Sequence, residues 1–137
     1  MSGTMEVQGA LYQQAATALA GKSVAWPGKS FDPGATAWYR VSFVTTEEPV
    51  AAEVGVNGRN RHTGMLQIDV FYPKSNQGEG PVRQEGERIA ATMKRGDVFT
   101  SSGQNVRITS SAASRCFEEE EWLHVPVKIW WRADVAN

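Results

Sequence analysis

The last part of the chain constrains the fold most. From Glu121 to Arg132 the residues alternate without a break: Leu123, Val125, Val127, Ile129 and Trp131 face one way, and Trp122, His124, Lys128 and Trp130 face the other. A period of two is the signature of a β-strand, because successive Cβ atoms point to opposite faces of a sheet. One face here is wholly apolar, so it demands a covering layer. Pro126 interrupts the run, and a proline cannot donate to a ladder hydrogen bond. Its presence predicts an edge strand or a bulge.

The segments before it supply the cover and more sheet. Residues 5–20 predict a helix, with Val7, Leu11, Ala15, Ala18 and Leu19 on one face and Gly21 as its stop. A turn-rich connection follows, from Trp26-Pro27-Gly28-Lys29 to Phe31-Asp32-Pro33-Gly34. Residues 37–46 predict a strand, with Ala37, Tyr39, Val41 and Phe43 opposite Trp38, Arg40, Ser42 and Val44. The polar, glycine-rich stretch Gly55–Gly64 predicts a loop tip, and the 50–64 segment is expected to be mobile in the free monomer and to order against a partner. Met65–Tyr72 predicts another strand, with Leu66, Ile68, Val70 and Tyr72 on one face and Gln67 and Asp69 on the other. A second helix is predicted at about 81–95. Pro81 suits its first turn, Val82, Gly86, Ile89 and Met93 share its inner face, and Gly96 ends it. Short strands are expected at Val98–Thr100 and Asn105–Thr109. Helix, strands, helix, strands predicts an α+β fold, a mainly antiparallel or mixed sheet with two helices packed on one face. The 137 residues fit a single domain, 1–137.

Composition removes several functional classes. A net charge of -1 gives no global basic field, so no specific nucleic-acid partner is expected. No apolar run approaches the ~20 residues of a membrane helix, and no membrane association is expected. The first residues, MSGTMEVQGA, lack the basic and apolar regions of a signal peptide, which makes a cytoplasm the expected compartment. Cys116 is the single cysteine and is expected to be a small buried apolar residue. The acidic run Glu118–Glu121 beside it disfavours a thiolate. The two histidines, His62 and His124, lack the spacing of metal ligands. No GxSxG elbow, GxxxxGK[ST] loop or dinucleotide fingerprint is present. The expectation is a non-enzyme without catalytic residues, metal or cofactor.

What is left is surface. Trp38, Trp122 and Trp130 fall on the face opposite the aliphatics. Amphipathic aromatics among charges are common where subunits meet, although a loop or chain end can equally cover them. Arg59 and Arg61 form a small basic cluster, and Glu118, Glu119, Glu120 and Glu121 form an acidic turn. Opposite charge on two exposed segments suggests that they meet across a boundary between copies; a plain solvated loop and a solvated turn are the alternatives.

One combination is distinctive. Gln67-Ile68-Asp69-Val70-Phe71-Tyr72-Pro73 is followed by Gly78 and Gly80, then by a helix carrying Ile89-Ala90. Phe99, Val106-Arg107-Ile108 and the strand Trp122–Arg132 come next. This order resembles the tail-terminator-like minor tail proteins of long-tailed bacteriophages, over nearly the whole chain. The resemblance implies a compact α+β protomer, six copies of which close a ring at the head-proximal end of the tail. The ring stops polymerisation of the tail tube and offers a surface to the filled head. The implied partners are further copies of the chain, the tail-tube protein and a head-completion or connector protein. The implied location is the virion tail, after assembly in the bacterial host cytoplasm. A connector of the neck, or a small ligand-binding module using the tryptophan-bearing face, are the alternatives.

Overall fold

A computed structural model describes residues 3–45 and 49–136. Helix α1 spans Thr4–Ala18 and α2 spans Gly80–Thr92. The strands are β1 (Val24–Ala25), β2 (Trp38–Thr45), β3 (Val50–Ala51), β4 (Arg59–Pro73), β5 (Val98–Ser101), β6 (Gln104–Ala113), β7 (Phe117–Glu118) and β8 (Trp122–Ala136). They form one curled, mixed sheet in the order β1-β2-β4-β8-β6-β5, with β3 added to β4 and β7 to β8. Among the described residues only the β1–β2 pair is parallel. The fold is α+β, as the alternation of patterns predicts. Thr46, the last residue of the predicted strand 37–46, lies outside the described residues.

The sheet is organised on its two long strands. β4 and β8 pair antiparallel over their whole lengths, from Arg59 opposite Ala136 to Pro73 opposite Trp122. Leu66, Ile68 and Val70 of β4 then align with Ile129, Val127 and Val125 of β8, and all six are fully buried. The helices lie on this inner face. α1 buries Val7, Ala10, Leu11 and Ala15, and α2 buries Val82, Gly86 and Ile89. Glu85, on the inner side of α2, binds them together. Its carboxylate accepts from the Tyr39 hydroxyl and from the Arg88 guanidinium. Arg88 also donates to the Ala18 carbonyl at the end of α1, at 3.0 Å. Burial pushes the Glu85 carboxyl up, but the hydrogen bonds from Arg88 and Tyr39 outweigh it and hold it below the usual carboxylate range.

Three expectations need correction. β8 is central, between β4 and β6, so Pro126 does not mark an edge. Its neighbour on that side is broken instead: β6 ends at Ala113 opposite Val127, β7 begins at Phe117 opposite His124, and the gap lies opposite Pro126. The carbonyl of Pro126 points into the gap and accepts from Ser114 N–H at 2.7 Å. No ladder donor is needed there. Second, the predicted loop tip ends at Gly58, because Arg59 to Gly64 are already in β4. Third, β6 runs on past Thr109 to Ala113 through a bulge between Ile108 and Ser110. The extra residue shifts the alternation, so that Ser111 turns inward and donates to the Ala90 carbonyl of α2.

Gly64 shows why a glycine sits inside a strand. A Cβ there would lie 2.1 Å from the Val44 carbonyl oxygen and 2.6 Å from the buried Trp131 ring. Neither group is the free end of a flexible chain. Gly64→Ala is therefore expected to lower stability by about 1–3 kcal/mol, read as a shift in urea midpoint. Gly80→Ala, where a Cβ meets nothing within 4 Å, should stay within about 0.5 kcal/mol. Equal midpoints would show that β2 and Trp131 yield freely.

Candidate interaction surface

The outer face of the sheet bears no helix, and the long ladder sorts its side chains into rungs. At one end, Trp38, Phe71, His124 and Phe117 line up across β2, β4, β8 and β7. Trp38 is sandwiched by Phe71, at 4.1 Å between ring centroids, and by Phe31 of the Pro-Gly loop, at 5.4 Å. Trp122 meets Trp38 edge-on at 6.3 Å. The loop thus covers Trp38, one of the two alternatives open from sequence.

The next rung is Arg40, Asp69 and Pro126. Asp69 is 1% exposed although it lies on the outer face. It accepts from His124 Nε2 at 2.7 Å, from Gln67 Nε2 at 2.8 Å and from Arg40 Nε at 3.2 Å. Burial pushes its carboxyl up, but these hydrogen bonds and the Arg40 charge win and hold it below the usual range. The other imidazole nitrogen of His124, Nδ1, faces Glu119 Oε1 at 3.2 Å. His124 therefore ties the acidic turn to the sheet. With both ring nitrogens occupied by carboxylates, it has the surroundings of a structural tie rather than of a general base. Among the described residues no three His, Cys, Asp or Glu side chains are placed to share a metal ion. The Cys116 thiol is half-buried and is pushed up by burial and by the Glu79 charge.

Farther along, Val44, Met65 and Trp130 make an apolar rung across β2, β4 and β8. Val44 is 53% exposed and Trp130 46%. They line a groove of about 430 Å³, open to solvent, with Thr63, Gly64 and Arg132. Trp130 is thus bare, while Trp38 and Trp122 form a separate cluster with the loop.

The far end of the face is basic. Arg107 of β6 stands directly opposite Arg132 of β8. With Arg59, Gln104, Asn105 and Asp134 they line a polar cleft of about 380 Å³. Arg61 is engaged within the chain: it grips Asp134 with two hydrogen bonds, at 2.9 and 3.2 Å, and holds that carboxyl low. Arg59 lies 3.7 Å from Glu53. At the opposite end, Glu118 to Glu121 are all exposed on a tight hairpin closed by Glu119 N–H to the Trp122 carbonyl. Glu118 meets Lys74 at 3.4 Å. The structure therefore gathers the expected surface residues on one face but spreads them from end to end. Arg40, Asp69, Arg107 and Arg132 were not singled out from sequence. Parity puts them on this face, and the strand register shows which of them stand side by side.

Asp69 also fixes an acid sensitivity. A carboxyl held low in the fold stabilises it above its unfolded pKa, and that contribution fades as pH falls through the folded value. Thermal unfolding should show stability falling below about pH 4. Asp69→Asn should cost about 1.5–3 kcal/mol at pH 7 and flatten part of the acid limb. An unchanged acid limb in that variant would remove Asp69 from this role.

Comparison with known proteins accords with the surface-dominated geometry. One solved structure superposes with a TM-score of 0.78 at 19% identity, covering 97% of this chain and 96% of the other. A component of the virion of a native gene transfer agent particle superposes at a TM-score of 0.54 and 18% identity, with the same coverages. At those identities the likeness establishes the fold. No curated protein matches the chain. The family of phage tail terminator proteins matches over residues 6–131, which takes in both helices and nearly the whole sheet. This chain belongs to the phage tail terminator family, and is a structural protein of the phage tail.

Proposed function

We propose that the protein caps the tail tube as a ring of copies, six in number, ends tube polymerisation and forms the surface on which the head docks. Its partners in this reading are its own copies, the tail-tube protein and a head-completion or connector protein, brought together in the bacterial host cytoplasm. Family membership supports the location and the class of role. The observation that carries the mechanism is the bare outer face, with an exposed apolar rung between ends of opposite charge. An open sheet face with a half-exposed tryptophan beside a valine has the make-up of an interface core. The groove there is open rather than enclosed, which suits a flat macromolecular contact better than a small ligand.

Tail tubes assembled with and without the protein test the reading by electron microscopy. Tubes of defined length in its presence and overlong tubes in its absence are expected; equal lengths would count against capping. Trp130→Glu should weaken capping on the order of tenfold or more, as for a hot-spot tryptophan. Its effect on the unfolding free energy, from urea titration, should stay within about 0.5 kcal/mol, because the side chain is half-exposed. Full capping by that variant would remove the apolar rung from the interface.

A further inference from the structure

Building on the ring reading, we propose that the cleft of Arg107, Arg132 and Arg59 receives the Glu118–Glu121 turn of a second copy. Arg107 and Arg132 are cross-strand neighbours, and like charges placed directly opposite destabilise a sheet. Among the described residues no carboxylate lies within ion-pair distance of either. The adjacent carboxylate, Asp134, is committed to Arg61. A pair of arginines in this position is a site at which a further carboxylate can dock.

The cleft is a built feature and not a chance grouping of long side chains. Ser102 and Gly103 both take positive φ, 50° and 80°, in the two-residue turn between β5 and β6. That turn brings Gln104 into the sheet, where it is 5% exposed and donates to the carbonyls of Asn105 and Asp134. The hairpin and the end of β8 are thereby fixed relative to each other, and Arg107 and Arg132 are carried on them.

The acidic turn is the matching part. Lys74 holds Glu118 and His124 holds Glu119. Glu120 and Glu121 are exposed and, among the described residues, have no cation within ion-pair distance. The hairpin presents them in a fixed direction. They cannot reach the cleft of their own chain. Trp122 and Arg132 are separated by ten residues of continuous strand, about 33 Å. A contact between two different patches at opposite ends of one strand is head-to-tail, the kind that closes a ring when the rotation is right. Charge complementarity therefore selects a second copy as the occupant. Arg61 acts within its own chain, on Asp134 at the rim of the cleft.

Carbodiimide coupling tests this directly. Arg107→Lys/Arg132→Lys supplies amines at the cleft without changing its charge. A mixture of isotope-labelled and unlabelled copies distinguishes links between chains from links within one. Amide links are expected from position 107 or 132 of one copy to positions 118–121 of another, falling several-fold from about 0.05 to 0.5 M salt. No such links at the highest soluble concentration, or links within single copies only, would overturn the proposal. Charge reversals give a second readout. Arg107→Glu/Arg132→Glu and Glu120→Lys/Glu121→Lys should each fail to cap tubes alone and should recover capping when mixed. If each caps as well as the unaltered protein, the cleft assignment fails while the capping reading stands. If tubes keep normal length without the protein at all, the capping reading fails instead. Duplex DNA bound by the protein and released by Arg107→Glu/Arg132→Glu, with no amide links formed, would give the cleft to nucleic acid and overturn the proposal.

Discussion

The antiparallel pairing of β4 with β8 is the constraint from which the rest of the molecule follows. Two strands of fifteen residues each meet in a single unbroken register. Side chains alternate across a strand, so a slip of one position would turn Leu66, Ile68 and Val70 out to water and bring Gln67, Asp69 and Lys128 into the core. With so many apolar residues in phase on one face, no alternative register competes. That register also places the second set of side chains. The core therefore fixes the positions of the outer surface, which contributes little to the core's own stability.

The two halves of the outer face are treated differently. At the β7 end the structure completes itself. The Pro-Gly loop lays Phe31 on Trp38, and Asp69 sinks almost fully from water while three neighbours supply its hydrogen bonds. A buried carboxylate is tolerable only under such satisfaction, since the desolvation penalty exceeds what any one exposed ion pair returns. At the other end Arg61 and Gln104 are satisfied, but the rest of the face is more open. Val44 and Trp130 stay half bare, and two arginines confront each other across adjacent strands. The buried carboxylate is satisfied at one end of the sheet, while like charges stand opposed at the other.

Sequence patterns alone made much of this legible. Both helices, the long strands and the identity of the inner face follow from periods of 3.6 and 2, because burial on one side imposes those periods directly. The grouping of Trp38, Trp122 and Trp130 on the opposite face follows from the same parity. What parity does not carry is pairing. Arg107 and Arg132 are far apart in the chain and look like ordinary solvated residues until β6 is laid against β8. Asp69 reads as an exposed polar position until Arg40 and His124 are brought beside it from β2 and β8. Pro126 misled for a related reason. Its missing donor was read as a property of β8, whereas the compensating irregularity lies in the neighbouring strand, in the break from Ala113 to Phe117. Gly64 looked like turn punctuation, and only the approach of Val44 and Trp131 shows it to be a packing requirement.

A subunit assembling in the proposed way would benefit from an interface of this composition. A large apolar patch would drive association wherever copies meet, since hydrophobic burial is indifferent to orientation. Here the exposed apolar rung is narrow and is flanked by charge of opposite sign at the two ends of the sheet. Charged contacts on a surface contribute little singly and are screened within about 8–10 Å at ordinary ionic strength. They discriminate strongly between orientations, however, because head-to-head or tail-to-tail approach sets like charges together. The arrangement thus favours one mode of contact, head to tail, while keeping a single contact weak. Closure of a ring multiplies the weak contacts, and a tube end that holds several copies side by side raises their effective concentration. In the proposed ring, specificity and reversibility before closure, and permanence after it, would come from the same few residues.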